Sequence, residues 1–471
     1  MRNHWSKTGI VALTAGAGAA ALLAAAAVAP NASAASRAAA SAPPRVDITL
    51  GMTELAGAAS TPPTTAQCEK LYKIACYQPD QIRAAYNLPA LYKKNITGKG
   101  TTIVIVDPFG SPTIKHDLAT FDRQLGYPEP PSFTIIAPAG KIPAYNPGDQ
   151  EMVGSAAETT LDVEYAHALA PGANILLVET PVDETEGTTG FPQIVAAEKY
   201  VINHGLGDVI SQSFNATEET FANYQQLKPL RAAYVDAYAR HVTVLDSVVD
   251  SGATDVNASG NYYPSRVTSW PTSDPLVTGV GATQLKLSDG TFTSVAWNDT
   301  YNPAVQAYFG LTTANPAASN GGKSEFFSRP QYQDSVTSVV GDRRGVPDIS
   351  MSGAVNGAVV AYGSFGGHPA GWALGFGASE ATPEFSAIVA LADQVAGHPL
   401  GLINPRLYAL SAAHAPGIVD VTSGNNTVSF PQGPASKLVT VKGYPATKGY
   451  DLVTGVGTIN APSFVYELAG R

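Results

Sequence analysis

Two cysteines in 471 residues, Cys68 and Cys76, exclude a disulfide-dense scaffold, and nothing around them has the spacing of a zinc or redox motif. Charge is also scarce, at 14% of residues, and its balance is negative, with a formal net charge of -10. No strong basic run occurs, which argues against a general nucleic-acid binder. Past the N-terminus no stretch of about 18 uninterrupted apolar residues appears, so the rest of the chain is expected to be soluble. No internal repeat is evident. With 44% hydrophobic residues, the chain can nevertheless bury a large core.

At the N-terminus Arg2 and Lys7 precede the apolar run GIVALTAGAGAAALLAAAAVA, and Ala32-Ser33-Ala34 follows as a small-x-small cleavage pattern. This reads as a secretory signal over residues 1–35, with a membrane anchor as the competing reading. Residues 36–75, rich in Ala, Pro, Ser and Thr, suit a linker or short prosegment better than a packed element. In an exported chain Cys68 and Cys76 are expected to form one short-loop disulfide, two buried thiols being the alternative.

From Cys76 onward the pattern alternates. TTIVIVDP (101–108), SFTIIAP, ANILLVET, GDVISQSF, HVTVLDSV and PLVTGVG read as buried strands. TIKHDLATFDRQLG, VGSAAETTLDVEYAHAL and FPQIVAAEKYVINHG read as the helices between them. Strands alternating with helices imply an α/β fold, a parallel sheet covered on both faces, here as one large domain over residues 76–471. Functional groups are expected near the strand ends.

The stretch GFGASEATPEF (375–385) is built to present Ser379, set between Gly377 and Pro383 and opening onto the helical run FSAIVALADQ. A serine at a helix N-terminus meets outward-pointing N–H groups and a dipole that favours negative charge, but it needs a base to attack anything. Subtilases supply histidine. Of the eight histidines, His4 falls in the signal, and His116, His167, His204, His241, His368, His398 and His414 all lack the HGTxxAG-like setting of that family. Asp107, ending the first strand, looks subtilase-like but has no such partner.

Carboxylates are the better candidates. Glu158 and Asp162 lie four residues apart on one helix and project from nearly the same face. Two such acids are ordinarily a solvated helix face, but Leu161, Val163 and the following APGANILL point to burial. A buried pair sharing one proton can accept a serine proton under acidic conditions, where histidine is already protonated. Asp250, after the strand HVTVLDSV and before a glycine, is placed either as a turn residue or, when protonated, as a hydrogen-bond donor to an oxyanion.

These residues together resemble the sedolisin family, the serine-carboxyl peptidases, whose fold is subtilisin-like. The resemblance runs in order through CYQPDQIRAAYNLPALY, ITGKGTTIVIVD, ETTLDVEYAHALAPGA, VISQSF, SWPTSDPLVTGVGAT, GVPDIS, GASEATPEFSAIVALADQ, LINPRLY and GYDLVTGVGTINAP. It implies Ser379 as nucleophile, Glu158 as general base and acid, Asp162 as its orienting partner and Asp250 as oxyanion donor. It also implies one structural Ca2+ on the carboxylates of Asp420 and Asp451 and the main-chain carbonyls of Val421, Thr447 and Gly449, an oxygen-only set that suits this ion. The expected protein is a secreted, monomeric endopeptidase acting on proteins or peptides at acidic pH.

The chain departs from the family pattern at Phe376 and Ala378, where glycine and threonine are usual, and at Val248 and Val249, where Ser-Gly is usual. Valine at 249 implies backbone strain if that position requires a positive φ. These departures keep open a non-catalytic secreted binding protein on the same scaffold. A histidine-dependent subtilase is the third reading.

Overall fold

The computed structural model describes residues 52–59, 61–367 and 370–471. The expected signal, residues 1–35, and His368 lie outside the described residues. Among the described residues no helix is long and apolar enough to cross a membrane.

The central sheet has eight strands: β1 (Thr102–Pro108), β2 (Phe133–Ile136), β3 (Asn174–Thr180), β4 (Val209–Gln212), β5 (Thr243–Ser247), β6 (Thr278–Ser288), β7 (Thr291–Ala296) and β8 (Ile349–Ser352). Their spatial order is β7-β6-β5-β4-β1-β3-β2, with β8 pairing alongside β6. Every pairing in it is parallel except the β6–β7 hairpin, which turns through Asp289 and Gly290. The helices that matter most are α1 (Ile114–Leu125), α2 (Gln150–Leu169), α3 (Phe191–His204), α4 (Ala232–Arg240) and α5 (Ala378–Ala396).

Side-chain alternation along β1 sorts the core into two layers. Ile103 and Ile105 pack in the cluster that holds Leu161 of α2 and Ile388 of α5. Val104 and Val106 pack in the opposite cluster, with Ile194 of α3 and Ala233 of α4. Both faces of the sheet are therefore covered, as the near-continuous apolar strands require. Asp107 shares the parity of Ile103 and Ile105, so it belongs to the face carrying α2 and α5.

Residues 36–75, read as lacking packed elements, contribute two. Met52–Ala59 forms a strand antiparallel to Gly371–Gly375, and Thr65–Tyr72 forms a helix capped by the Thr64 side chain. Sequence composition missed the strand because its partner, 371–375, is more than 300 residues away. Cys68 and Cys76 are joined, with S–S 2.05 Å, tying that helix to the first residues of the large domain.

Candidate active site

α2 and α5 lie side by side on one face of the sheet, and their contact is where the predicted residues meet. Both helices are buried along most of their length, including Glu158, Asp162 and Ser379. The spacing of the two acids thus faces protein, and the solvated-face reading is excluded by burial.

Ser379 occupies the first turn of α5, entered through Gly377, whose φ of 102° and ψ of 171° suit glycine alone. The Gly377 N–H donates to Gly353 O at 2.7 Å, which anchors the turn to the residue after β8. A Cβ on Gly353 would lie 2.4 Å from Gly377 O, so this close approach demands glycine at 353. Pro383 lies inside the helix and cannot donate to the carbonyl of Ser379 four residues back.

The Ser379 and Ser213 hydroxyls come within polar reach of the Glu158 carboxyl, although neither closes a well-formed hydrogen bond to it. Burial is the chief force holding Glu158 above the usual carboxylate range, and the two hydroxyls oppose it. Asp162 is held well above its ordinary value, first by burial and then by the like charges of Glu158 and Asp107. No hydrogen bond joins Glu158 and Asp162, so the two buried carboxyls interact by proximity and not through a closed carboxyl–carboxyl bond.

Asp107 is the third member of this group. Its carboxyl is raised by burial and then by Glu158, across the junction of β1 and α2. Asp107, Pro108, Ser155, Glu158, Asp183, Ser213 and Phe214 line one pocket at the C-terminal ends of the strands. None of them is histidine. The buried His167, by contrast, is engaged elsewhere, with Nε2 2.8 Å from Pro128 O and 3.3 Å from Asp122 Oδ1.

Asp250 approaches the serine turn from the other side, in the loop after β5. The Ala378 N–H donates to its Oδ1 at 2.8 Å, and its Oδ2 lies 2.5 Å from where a Cβ on Gly377 would be. The loop is held by its own backbone: Ala318 N–H donates to Asp250 O at 2.9 Å, and Asn320 N–H to Val249 O at 2.8 Å. Val248, Val249, Phe376 and Ala378 all have negative φ, so the strain expected at Val249 is absent. The Phe376 ring is buried edge-on against Phe309, at 5.8 Å between centroids. Ala378 lacks a hydroxyl, yet its backbone supplies the contact to Asp250.

The residues with calcium expectations converge on a different corner. Gly449 N–H donates to Asp420 Oδ2 at 2.9 Å and Thr447 N–H to Asp451 Oδ2 at 2.8 Å, so the 420–421 and 447–451 loops adjoin. Asp451 Oδ1 also accepts from Val453 N, Thr454 N and the Thr454 hydroxyl. Among the described residues no group of three or more His, Cys, Asp or Glu stands together to hold a metal ion, and the contacts to these two carboxylates are N–H and O–H donors.

Sequence reading set Asp107 aside and did not single out Ser213 or Asp183. The available signal was their position, at or just beyond the ends of buried parallel strands.

Among the described residues, a serine at a helix N-terminus on a parallel α/β sheet faces buried carboxyls and no histidine, and the architecture is a subtilisin-like scaffold. Comparison with known proteins narrows this. No protein-family model matches the chain. Kumamolisin of Bacillus sp. (strain MN-32) is 28% identical over 394 residues, covering 81% of this chain and 62% of that one. Tripeptidyl-peptidase 1 of Mus musculus is 29% identical over 414 residues, covering 83% of this chain and 64% of that one. The matches therefore span less than two thirds of these relatives. In fold, the chain is similar to Pseudomonas sedolisin, a serine-carboxyl proteinase, with a TM-score of 0.67 at 22% identity over 84% of this chain and 99% of that one. The chain is thus similar in sequence to kumamolisin and tripeptidyl-peptidase 1 and shares its fold with a serine-carboxyl proteinase, which is consistent with the sedolisin resemblance.

Proposed function

We propose that the protein is an exported serine-carboxyl endopeptidase that hydrolyses peptide bonds at acidic pH. The observation that carries this reading is the approach of Ser379 to Glu158 inside a buried carboxyl group, with Asp250 on the same turn. Ser379 Oγ attacks the substrate carbonyl carbon while its proton passes to Glu158. The carbonyl oxygen becomes an oxyanion that accepts a hydrogen bond from protonated Asp250 Oδ2, whose Oδ1 is already engaged by Ala378 N–H. Glu158 returns the proton to the leaving amine, and the acyl-enzyme remains. Water then attacks the acyl carbon, again giving its proton to Glu158, which restores Ser379 and releases the acid.

Glu158 must be ionised to act, and burial together with like-charge repulsion favours the neutral forms of Asp107 and Asp162 beside it. On this reading Asp250 must carry a proton in order to donate to the oxyanion, and that requirement is what favours acidic solution.

Calcium, held by the carboxylates of Asp420 and Asp451 with the carbonyls of Val421, Thr447 and Gly449, would stabilise the two adjoining C-terminal loops.

The test is a pH–rate profile on a denatured protein substrate beside Ser379→Ala. Hydrolysis is expected near pH 3 to 5 in the parent and absent from the variant. Equal activity in the variant would remove Ser379 from the mechanism, and a neutral-to-alkaline optimum would remove the carboxyl base. No binding of a peptide aldehyde at acid pH would favour a non-catalytic scaffold.

A further inference from the structure

Two carboxyls near the nucleophile have no part in the reaction above. Glu380 and Glu384 sit one turn apart on α5, directly after Ser379, and both are fully buried. None of their four carboxyl oxygens has a hydrogen-bond partner. The Ser352 hydroxyl is within polar reach of Glu380 without forming a proper bond to it. Ser352 N–H donates instead to the Tyr86 hydroxyl, at 2.7 Å. The titratable groups facing the pair are Asp250 from the loop after β5, Tyr86, and Tyr165 of α2. Among the described residues no Lys, Arg or His acts on either carboxyl.

We propose that Glu380 and Glu384 are a proton-gated pair in the nucleophile helix: α5 packs only while both are neutral, so the folded protein holds two protons that the unfolded chain releases. An ionised carboxylate at either position would lie fully buried with no counter-charge beside it among the described residues, opposed only by weak polar contacts from the Ser352 hydroxyl to Glu380 and the Ser352 backbone to Glu384. Each would also repel its neighbour, and Glu380 would repel Asp250. Burial first, and these like charges after it, hold both carboxyls well above the ordinary glutamate value.

The sign follows from linkage. Below the unfolded-chain value of 4.5 both states are protonated and the pair is neutral with respect to folding. Above it the unfolded chain gives up protons that the native state keeps, so stability falls as pH rises toward the raised native values. The unfolding constant rises about tenfold per pH unit for each group, about a hundredfold for the two. Other buried acids, Glu164, Glu198 and Asp246 among them, add slopes of the same sign, so the pair is read by difference. This inference concerns the folding equilibrium and stands whether or not Ser379 is a nucleophile.

The experiment compares full-length Ser379→Ala, in which self-digestion cannot intervene, with the same chain carrying Glu380→Gln and Glu384→Gln. Denaturant unfolding is followed by tryptophan fluorescence from pH 4 to 7. The expected result is coincidence at pH 4 and divergence above about pH 5, the glutamine variant being the more stable by up to about a hundredfold in unfolding constant per pH unit. Parallel profiles, or a variant less stable at pH 6 to 7, overturn the proposal. If the double variant does not fold, Glu384→Gln alone is expected to show about half the slope change in logarithmic terms, about tenfold per unit. Failure of that single neutral isostere to fold at pH 4 also overturns it.

Discussion

Replacing Gly377 by alanine tests the serine turn at its tightest point. A Cβ there lies 2.5 Å from Asp250 Oδ2 and 3.3 Å from its Cγ, so the carboxyl must move. The backbone conformation, φ 102° and ψ 171°, adds strain of about 1–3 kcal/mol for any residue with a side chain. Displacing Asp250 takes away one oxyanion donor, an effect of about 10²–10³ in kcat, or about 2.7–4 kcal/mol in the barrier. Gly377→Ala is therefore expected to fold with reduced stability and to lose kcat by about two to three orders of magnitude while KM changes little. Gly397→Ala is the control, because Gly397 also has a left-handed φ of 81° but nothing within 4 Å of the added carbon. It should lose about 1–2 kcal/mol of stability and keep its kcat. Steady-state kinetics on a peptide substrate at acid pH, with thermal unfolding of both variants, separates strain from the clash. A Gly377→Ala enzyme within a few-fold of the parent kcat would refute the placement of Asp250 at the oxyanion.

Asp250→Asn keeps the acceptor for Ala378 N–H on one atom and places a permanent N–H donor on the other. It should lose much less activity than Asp250→Ala at neutral pH, relative to the parent, and equal losses at every pH would exclude a donor role. Chelation should lower the melting temperature and added calcium restore it, by about 2.7 kcal/mol at a hundredfold excess over Kd. Asp420→Asn should abolish that response with little other harm, because Asp420 is exposed, whereas Asp451 also caps its own turn. A calcium response unchanged in Asp420→Asn would remove that residue from the site.

The local patterns were legible in the sequence. Apolar strands alternating with helical runs prescribed a parallel sheet with both faces covered, since strands without polar alternation cannot face water. The spacing of Glu158 and Asp162 placed them on one side of α2, and Cys68 and Cys76 were close enough along the chain to pair. The glycine before Ala378 marked a turn into a helix. Long-range contacts were not legible in the same way. Only the folded chain shows that Asp107, at the end of β1, approaches Glu158 on α2, because that depends on which face of the sheet α2 covers. Only the backbone geometry shows that Val249 is unstrained, since the need for a positive φ at that position cannot be read from residue type. The strand at 52–59 likewise required its partner at 371–375. Above all, Glu380 and Glu384 read as ordinary first-turn acids of a helix, a place where negative charge is usually welcome. Tertiary packing decides otherwise, because α2, β8 and Tyr86 enclose that turn, bury both carboxyls fully and leave neither with a well-formed hydrogen bond.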